Sequence, residues 1–288
     1  IMADILIIAN PASGKFKIIK PLLHTIIDIL KEKADKVELV LTEYRGHGTY
    51  LAQNSLSHVI IAAGGDGLVN EVARGIVNTD KFFYVLPFGT KNVFCKEYGI
   101  SANPVTAAKN LDINNIKKIP VGYIDNKIFL LMAGFGFDAH VVRNVEKKGV
   151  KFKLFKTFAH IIQGFPALFA DKYSRMYVYI NGKRYGFYHG VFAISAFYAG
   201  TYKLGRIQER KINCFLVEKN GRLSLLKAFA PLFFWFGFNG IHINSENIKL
   251  NGVSFCQLDG EYTELQNKST YIMIKENAIN FIAPLKKL

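Results

Sequence analysis

An α/β domain built on a mainly parallel sheet, followed by a mainly antiparallel β domain, is the fold class this sequence predicts. Short apolar runs at residues 5–9, 37–41, 58–62 and 82–86 alternate with segments of helical spacing through the first part of the chain, the pattern of strand–helix–strand crossovers. Three of these runs end in polar, glycine-bearing turns, at residues 10–15, 64–67 and 87–92. Near residue 115 the pattern changes to apolar runs joined by short turns, with Asp125-Asn126, Asn181-Gly182 and Asn251-Gly252 as hairpin signals.

Taken in order, residues 5–9 form the first strand, and Asn10-Pro11-Ala12-Ser13-Gly14-Lys15 follows as a turn rich in donors. Lys15 can place a point charge on a phosphate, although the spacing is not that of a Walker A loop. Residues 18–30 predict a helix in which Pro21 is tolerated only near the first turn. A strand at 37–41 ends at Thr42, residues 47–56 predict a short helix, and 58–62 a buried strand. Gly64-Gly65-Asp66-Gly67 comes next, ahead of Val69, Val72, Ala73 and Ile76 at helical spacing. Glycines let backbone come close to a bulky anion, and a helix N-terminus offers unpaired N–H groups to it. Asp66 in such a turn would repel a bare phosphate, so its presence points to a metal ion or to a proton to be moved. The third turn is Pro87-Phe88-Gly89-Thr90-Lys91-Asn92. All three turns fall at strand C-terminal ends, the edge where open α/β sheets bind ligands.

The second half predicts strands at 119–124, 127–133, 175–180, 187–196, 212–218, 248–250, 254–258 and 270–274. Residues 152–169 predict an amphipathic helix with lysines crowded at its start. The stretch 223–243 carries Lys227 as its one charge, but Pro231, Gly237 and Gly240 interrupt it, so a buried or interfacial segment is expected rather than a spanning helix. His47, His140 and His242 are isolated and read as structural, and Asp138 reads as a helix cap.

The chain has 288 residues, half of them hydrophobic, enough for two domains with substantial cores. A formal net charge of +15 attracts an anionic partner: nucleic acid, a phospholipid surface or a phosphorylated small molecule. With no RNA-binding signature, zinc-finger spacing or basic tail, no nucleic-acid partner is expected. Cys95, Cys214 and Cys256 lack the spacing of a disulfide framework or a zinc site, which suits the cytoplasm. No basic leader precedes the first apolar run, so no secretory signal is expected.

Several of these pieces together resemble the bacterial lipid kinases of the diacylglycerol kinase catalytic-domain family, related to sphingosine kinases and, more distantly, to NAD kinases and phosphofructokinases. The resemblance rests on residues 10–15, Gly64-Gly65-Asp66-Gly67 with Asn70-Glu71-Val72, and Leu86-Pro87-Phe88-Gly89-Thr90 with Asn92. It continues through Gly134-Phe135-Gly136-Phe137-Asp138-Ala139 and Leu258-Asp259-Gly260-Glu261, in the family's order over nearly the whole chain.

The resemblance implies an NAD kinase-like α/β domain at 1–116 with 278–288, and a β-sandwich that binds lipid at 117–277. ATP would be lined by Asn10, Ser13, Gly14, Lys15, Thr42, Gly64, Gly65, Asp66, Gly67, Asn70, Glu71, Gly89, Thr90 and Asn92. Glu261 would be the proton acceptor with Asp259 beside it, and Asp66 would belong to the phosphate and Mg²⁺ network. The implied activity is transfer of the γ-phosphoryl group of ATP to a hydroxyl of a membrane lipid such as diacylglycerol. It would be carried out by a cytoplasmic protein docked peripherally on an anionic membrane at its inner face, with a homodimer left open. Three positions depart from the family pattern: Leu68 replaces a Thr, Val93 an Asp, and Glu209 stands in for the Asp of an accessory Mg²⁺ turn. They leave as the alternative a nucleotide- or lipid-binding protein that keeps the fold without turnover.

Overall fold

The structure, a computed structural model, describes residues 4–147, 173–198, 202–203, 210–233 and 238–285. Glu209 and the helix expected at 152–169 lie outside the described residues. The chain divides into two compact units, residues 1–120 with 276–288, and residues 121–275.

In the first unit β1 (Asp4–Ala9), β2 (Lys36–Leu41), β3 (Val59–Gly64) and β4 (Phe82–Pro87) pair in parallel in the order β2-β1-β3-β4. Every residue of β3 is buried, as in a strand covered on both faces, which is why it reads as an unbroken apolar run. The edge strand β2 is half-exposed. Between the strands lie α1 (Phe16–Ile19), α2 (Leu23–Lys31), α3 (His47–Asn54) and α4 (Asp66–Ile76). The single helix expected over 18–30 is broken by a 3₁₀ turn at Lys20–Leu22, because Pro21 has no N–H to continue an α-helical ladder. After β4 come α5 (Val93–Glu97) and α6 (Pro104–Lys109); Asn103 caps α6 by accepting from the amides of Val105 and Thr106 at 2.9 and 3.1 Å. From β1 the chain moves to β2 on one side and then to β3 on the other. The order therefore reverses between β1 and β3, and the crevice beyond their C-terminal ends is the topological switch point.

The second unit opens with β5 (Ile116–Ile124), which begins in the first unit, then β6 (Lys127–Phe129), β7 (Met132–Phe135) and α7 (Phe137–Lys147). Next come β8 (Met176–Ile180), β9 (Lys183–Phe187), β10 (His189–Ala193), β11 (Phe197–Tyr198) and β12 (Tyr202–Lys203). β13 (Ile212–Val217), α8 (Arg222–Phe233), β14 (Ile241–Ser245) and β15 (Asn247–Asn251) follow. β16 (Phe255–Leu258), β17 (Glu261–Glu264) and the long β18 (Ser269–Ile282) complete the chain. One antiparallel sheet runs β14-β13-β10-β7-β16-β17; in the other, the first half of β18 pairs with β15, then β8, then β9. Phe135, Phe192, Cys214 and Cys256 from the first sheet meet Val178, Phe187, Leu250 and Ile272 from the second in one core, so the unit is a β-sandwich. The far end of β18 belongs to the first unit, where Asn280 and Phe281 pair in parallel with Phe82 and Phe83 of β4.

Asp125 with Asn126, and Asn181 with Gly182, turn their hairpins with both residues at positive φ, at 45° and 61° and at 50° and 76°. Asn251-Gly252, expected to be a third hairpin, instead carries the chain from β15 in one sheet to β16 in the other; β15 finds its partners in β8 and β18. The strand expected over 127–133 is split into β6 and β7, because the amides at 130–132 turn to a side chain described below. The apolar stretch 223–243 contains α8 and the start of β14, with Leu225 and Ala228 buried and Leu223 and Leu226 exposed. Among the described residues no helix is long and apolar enough to cross a membrane.

Candidate functional site

Three loops meet at the switch point of the first unit. The loop after β1 is folded on itself, Asn10 Oδ1 accepting from the Ala12 amide at 2.8 Å. Main-chain bonds join it to its neighbours: the Asn10 amide donates to Ala63 O at 3.3 Å and the Lys15 amide to Phe88 O at 3.1 Å. The amides of Phe88 and Gly89 both donate to Gly64 O, at 3.0 and 3.1 Å. Thr90 Oγ1 would lie 2.6 Å from a Cβ on Gly14, so the first and third loops touch at a glycine. Asn92, buried at φ 48°, braces the third loop by accepting from the Gly89 amide and donating to Gly89 O, both at 3.0 Å. Lys15, Gly14 and Thr90 are exposed along this rim. Asn10, Ser13, Gly14, Lys15, Gly65, Gly89, Thr90 and Asn92 thus stand on these three loops, with Gly64 ending β3 and Asp66 and Gly67 opening α4.

Asp66 opens α4 and reaches across to α5, where Oδ1 accepts from the Phe94 amide at 3.1 Å. Burial pushes its carboxyl up, while the amides of Phe94 and Val93 and then the nearby Lys91 pull the other way. Leu68, in the same helix, is buried, with its methyl groups set against Gly48 and Gly64. Asn70 is also buried, and its Oδ1 has no hydrogen-bond partner among the described residues.

Glu71 faces away from these loops in its bonding. Its carboxylate accepts from the amides of Gly46 and Gly48 at 2.9 and 3.0 Å, at the start of α3, and its carbonyl accepts from Thr49 Oγ1 at 2.8 Å. Carboxylate at a helix N-terminus is favourable, and here it fixes the segment that follows Thr42. Thr42 is buried, its amide donating to Ala9 O at 2.8 Å. His47 Nδ1 accepts from the Glu43 amide at 3.1 Å and its ring stacks on Tyr44, while the His242 ring stacks on Phe215.

The second unit carries the other cluster. Asp259 and Gly260, at φ 49° and 87°, form the two-residue turn between β16 and β17, and Glu261 is the first residue beyond it, paired with Leu258. Asp259 Oδ2 accepts from the Leu130 amide at 2.6 Å, and Oδ1 from Leu131 and Met132 at 2.9 and 2.8 Å. In return the Asp259 amide donates to Met132 O at 3.0 Å. This capture of three successive amides is what separates β6 from β7. Asp259 is therefore an anchor for the turn, and Glu261 stands on what it anchors.

Residues that sequence reasoning did not single out complete this cluster. Gln257 accepts from the Gly260 amide at 2.6 Å and donates to Asp138 Oδ2 at 2.6 Å, while Tyr198 O–H donates to Asp138 Oδ1 at 3.1 Å. Asp138, expected to cap α7, instead bonds these two side chains, and burial pushes its carboxyl up. His189, 2 % exposed, accepts from the Phe137 amide through Nδ1 at 2.9 Å and packs against Tyr173. Burial, then His140, lowers it to about 4. Only the position of Gln257, two residues before Asp259, could have drawn attention to it.

Mg²⁺ takes oxygen ligands in near-octahedral array and usually relies on one or two carboxylates together with substrate phosphates. Among the described residues no group of three or more Asp, Glu, His or Cys side chains is placed to hold a metal ion. With Asp66 bonded to an α5 amide, these residues do not fit a metal centre built by the protein alone.

Residues 4–124 match the family model described as diacylglycerol kinase catalytic domain. The chain is 30% identical over 148 residues to a diacylglycerol kinase of Bacillus subtilis (strain 168), covering 49% of this chain and 48% of that protein. It is 30% identical over 168 residues to a diacylglycerol kinase of Staphylococcus haemolyticus (strain JCSC1435), covering 56% and 50%. The chain thus spans about half the length of the curated relatives it matches. In fold it is similar to a solved structure described as a diacylglycerol kinase from Bacillus anthracis str. Sterne, with a TM-score of 0.78, 19% identity and coverage of 98% of this chain and 97% of that one. Residues 4–124, which hold all three loops of the switch point, are thus the part of the chain that is similar to the diacylglycerol kinase catalytic domain.

Proposed function

We propose that this protein is a lipid kinase that transfers the γ-phosphoryl group of ATP to a hydroxyl of a membrane lipid such as diacylglycerol. The observation that carries the reading is the meeting of three glycine-bearing loops at the switch point, in residues similar to the diacylglycerol kinase catalytic domain. Loops of this kind hold phosphates with main-chain amides, and Lys15 on the rim adds a cation. Asn70 Oδ1, a buried acceptor with no protein donor among the described residues, is the atom we assign to a hydroxyl or amine of the nucleotide.

In the transfer, the lipid hydroxyl oxygen attacks the γ-phosphorus, the bond to the β,γ-bridging oxygen breaks and ADP leaves. The hydroxyl proton passes to Glu261, which the Asp259 anchor and the hairpin hold at a defined place. Mg²⁺ would arrive on the phosphates of ATP, and no step is assigned to it. Exposed Leu223 and Leu226 on α8, next to exposed Lys219 and Lys227, together with the net charge of +15, support peripheral docking on an anionic inner membrane face.

The test is phosphorylation of diacylglycerol in mixed micelles with γ-labelled ATP. Labelled phosphatidic acid from the native chain, and none from Glu261→Gln that still binds ATP, is expected. Equal labelling by the two proteins would remove Glu261 as the base, and no labelled lipid from the native chain would remove the activity.

A further inference from the structure

We propose that Gln257 is a positioning residue for Glu261, tying the Glu261 turn to the buried carboxylate of Asp138. This deepens the kinase reading and rests on Glu261 being the base. Gln257 is 3 % exposed, and both ends of its amide are used: Oε1 by the Gly260 amide and Nε2 by Asp138 Oδ2, each at 2.6 Å. A neutral amide is suited to this place because it accepts from a main-chain N–H at one end and donates to a carboxylate at the other. Asp138 is held in turn by Tyr198 O–H at 3.1 Å. The path runs Tyr198, Asp138, Gln257, Gly260, and Glu261 is the next residue in the chain.

The fold makes room for this path. Gly134 on β7 lies so close that a Cβ there would collide with Asp138 Oδ2 and stand 2.6 Å from Gln257 Nε2. A buried carboxylate is costly unless its oxygens are satisfied, and here both are satisfied by side chains, one of which grips the turn that bears Glu261. Asp259 fixes that turn from one side through the amides at 130–132, and Gln257 fixes it from within through Gly260. Held on both sides, the first residue of β17 has little freedom to shift.

Two variants test this. Gln257→Leu keeps the approximate volume and removes both bonds. Gln257→Glu keeps an acceptor for the Gly260 amide but sets a second carboxylate against Asp138, so the bond between the two returns only when they share a proton. In Gln257→Leu, kcat for lipid phosphorylation falls about 10- to 100-fold, the scale expected when a reacting group moves by roughly an ångström, while KM for ATP is unchanged. Activity of Gln257→Glu relative to the native chain rises as pH is lowered, a response that mere packing would not give. Hydrogen exchange of the segment 259–264 is faster in Gln257→Leu. A native kcat in Gln257→Leu, or a pH-independent activity ratio for Gln257→Glu, overturns the proposal. If the native chain phosphorylates no lipid, the kinase reading fails and the positioning of a base fails with it; exchange then decides only whether Gln257 holds the turn, faster exchange of 259–264 upholding that tie and unchanged protection overturning it as well.

Discussion

Gly65 and Gly89 meet main chain against main chain: a Cβ on Gly65 would lie 3.2 Å from the Cα of Gly89, and a Cβ on Gly89 would collide with Gly65 and stand 2.6 Å from Asn92 Oδ1. The Gly65 contact is main chain and cannot swing aside, and Asn92 is held by its two bonds to Gly89. In Gly89→Ala the second and third loops must therefore part, and with them the site proposed for the nucleotide. Overpacking of this kind costs about 1–3 kcal/mol, to be read from denaturant unfolding. ATP affinity measured by calorimetry falls at least about tenfold, equivalent to about 1.4 kcal/mol. Native affinity in Gly89→Ala would show that the loop contact does not shape the site.

Glu71 stands in the Asn70-Glu71 pair of the sequence pattern, yet its carboxylate serves Gly46 and Gly48. Glu71→Ala leaves two amides without their acceptor, and the Gly48 amide belongs to a buried residue. A loss of about 1–3 kcal/mol in stability is expected for a buried group left unsatisfied. Glu71→Gln, which keeps one acceptor oxygen, loses less. Loss of ATP binding with native stability would instead place the carboxylate on the ligand.

What was legible in the sequence was local. A buried strand, a glycine turn and a helix start lie within a dozen residues of one another around Asp66, and the alternation of such units gives a parallel sheet by itself. The type of turn at Asp125-Asn126 and Asn181-Gly182 was legible for the same reason. Asn251-Gly252 was not, because the two residues show that the chain turns and not which sheet receives the next strand. Nor could the sequence show that the amides at 130–132 would leave their strand for Asp259, more than 120 residues away. Glu71 illustrates the limit within a motif: its neighbours in sequence suggest phosphate, and its partners in space are the start of another helix. Gln257 was silent because an amide has no chemistry of its own until both of its ends are seen to be engaged.

Asp259 and Glu261 are two residues apart and should fail in different ways. Asp259→Asn keeps one acceptor oxygen but turns an NH₂ toward a main-chain N–H, so at least one of the three amides at 130–132 loses its partner. Stability falls by about 1–3 kcal/mol, and phosphoryl transfer falls with it as the turn loosens. Glu261→Gln abolishes transfer while the thermal midpoint stays near that of the native chain. Comparing both variants by calorimetry and by the micelle assay separates anchor from base. A stable but inactive Asp259→Asn would move the proton acceptor to Asp259.

His189 makes the fold acid-sensitive. Its Nδ1 accepts from the Phe137 amide, a bond that only the neutral ring with its proton on Nε2 can make, and the ring is walled by Tyr173 with His140 nearby. Held at about 4 in the folded chain against an ordinary value of 6.5, the ring stays neutral while the unfolded chain takes up a proton. Its contribution to stability is thus full above 6.5 and is lost as pH falls toward about 4, at most about 3 kcal/mol across that interval. Asp66 and Asp138, whose carboxyls are pushed up by burial, act in the opposite sense, favouring the folded state as pH falls toward their unfolded values. The histidine is isolated by difference. His189→Asn offers an Oδ1 near the position of Nδ1 and does not titrate, so unfolding free energies of the two proteins, measured from pH 7 to pH 4, should converge as the pH drops. Parallel curves would mean that His189 takes up its proton in the folded chain without consequence for the Phe137 bond.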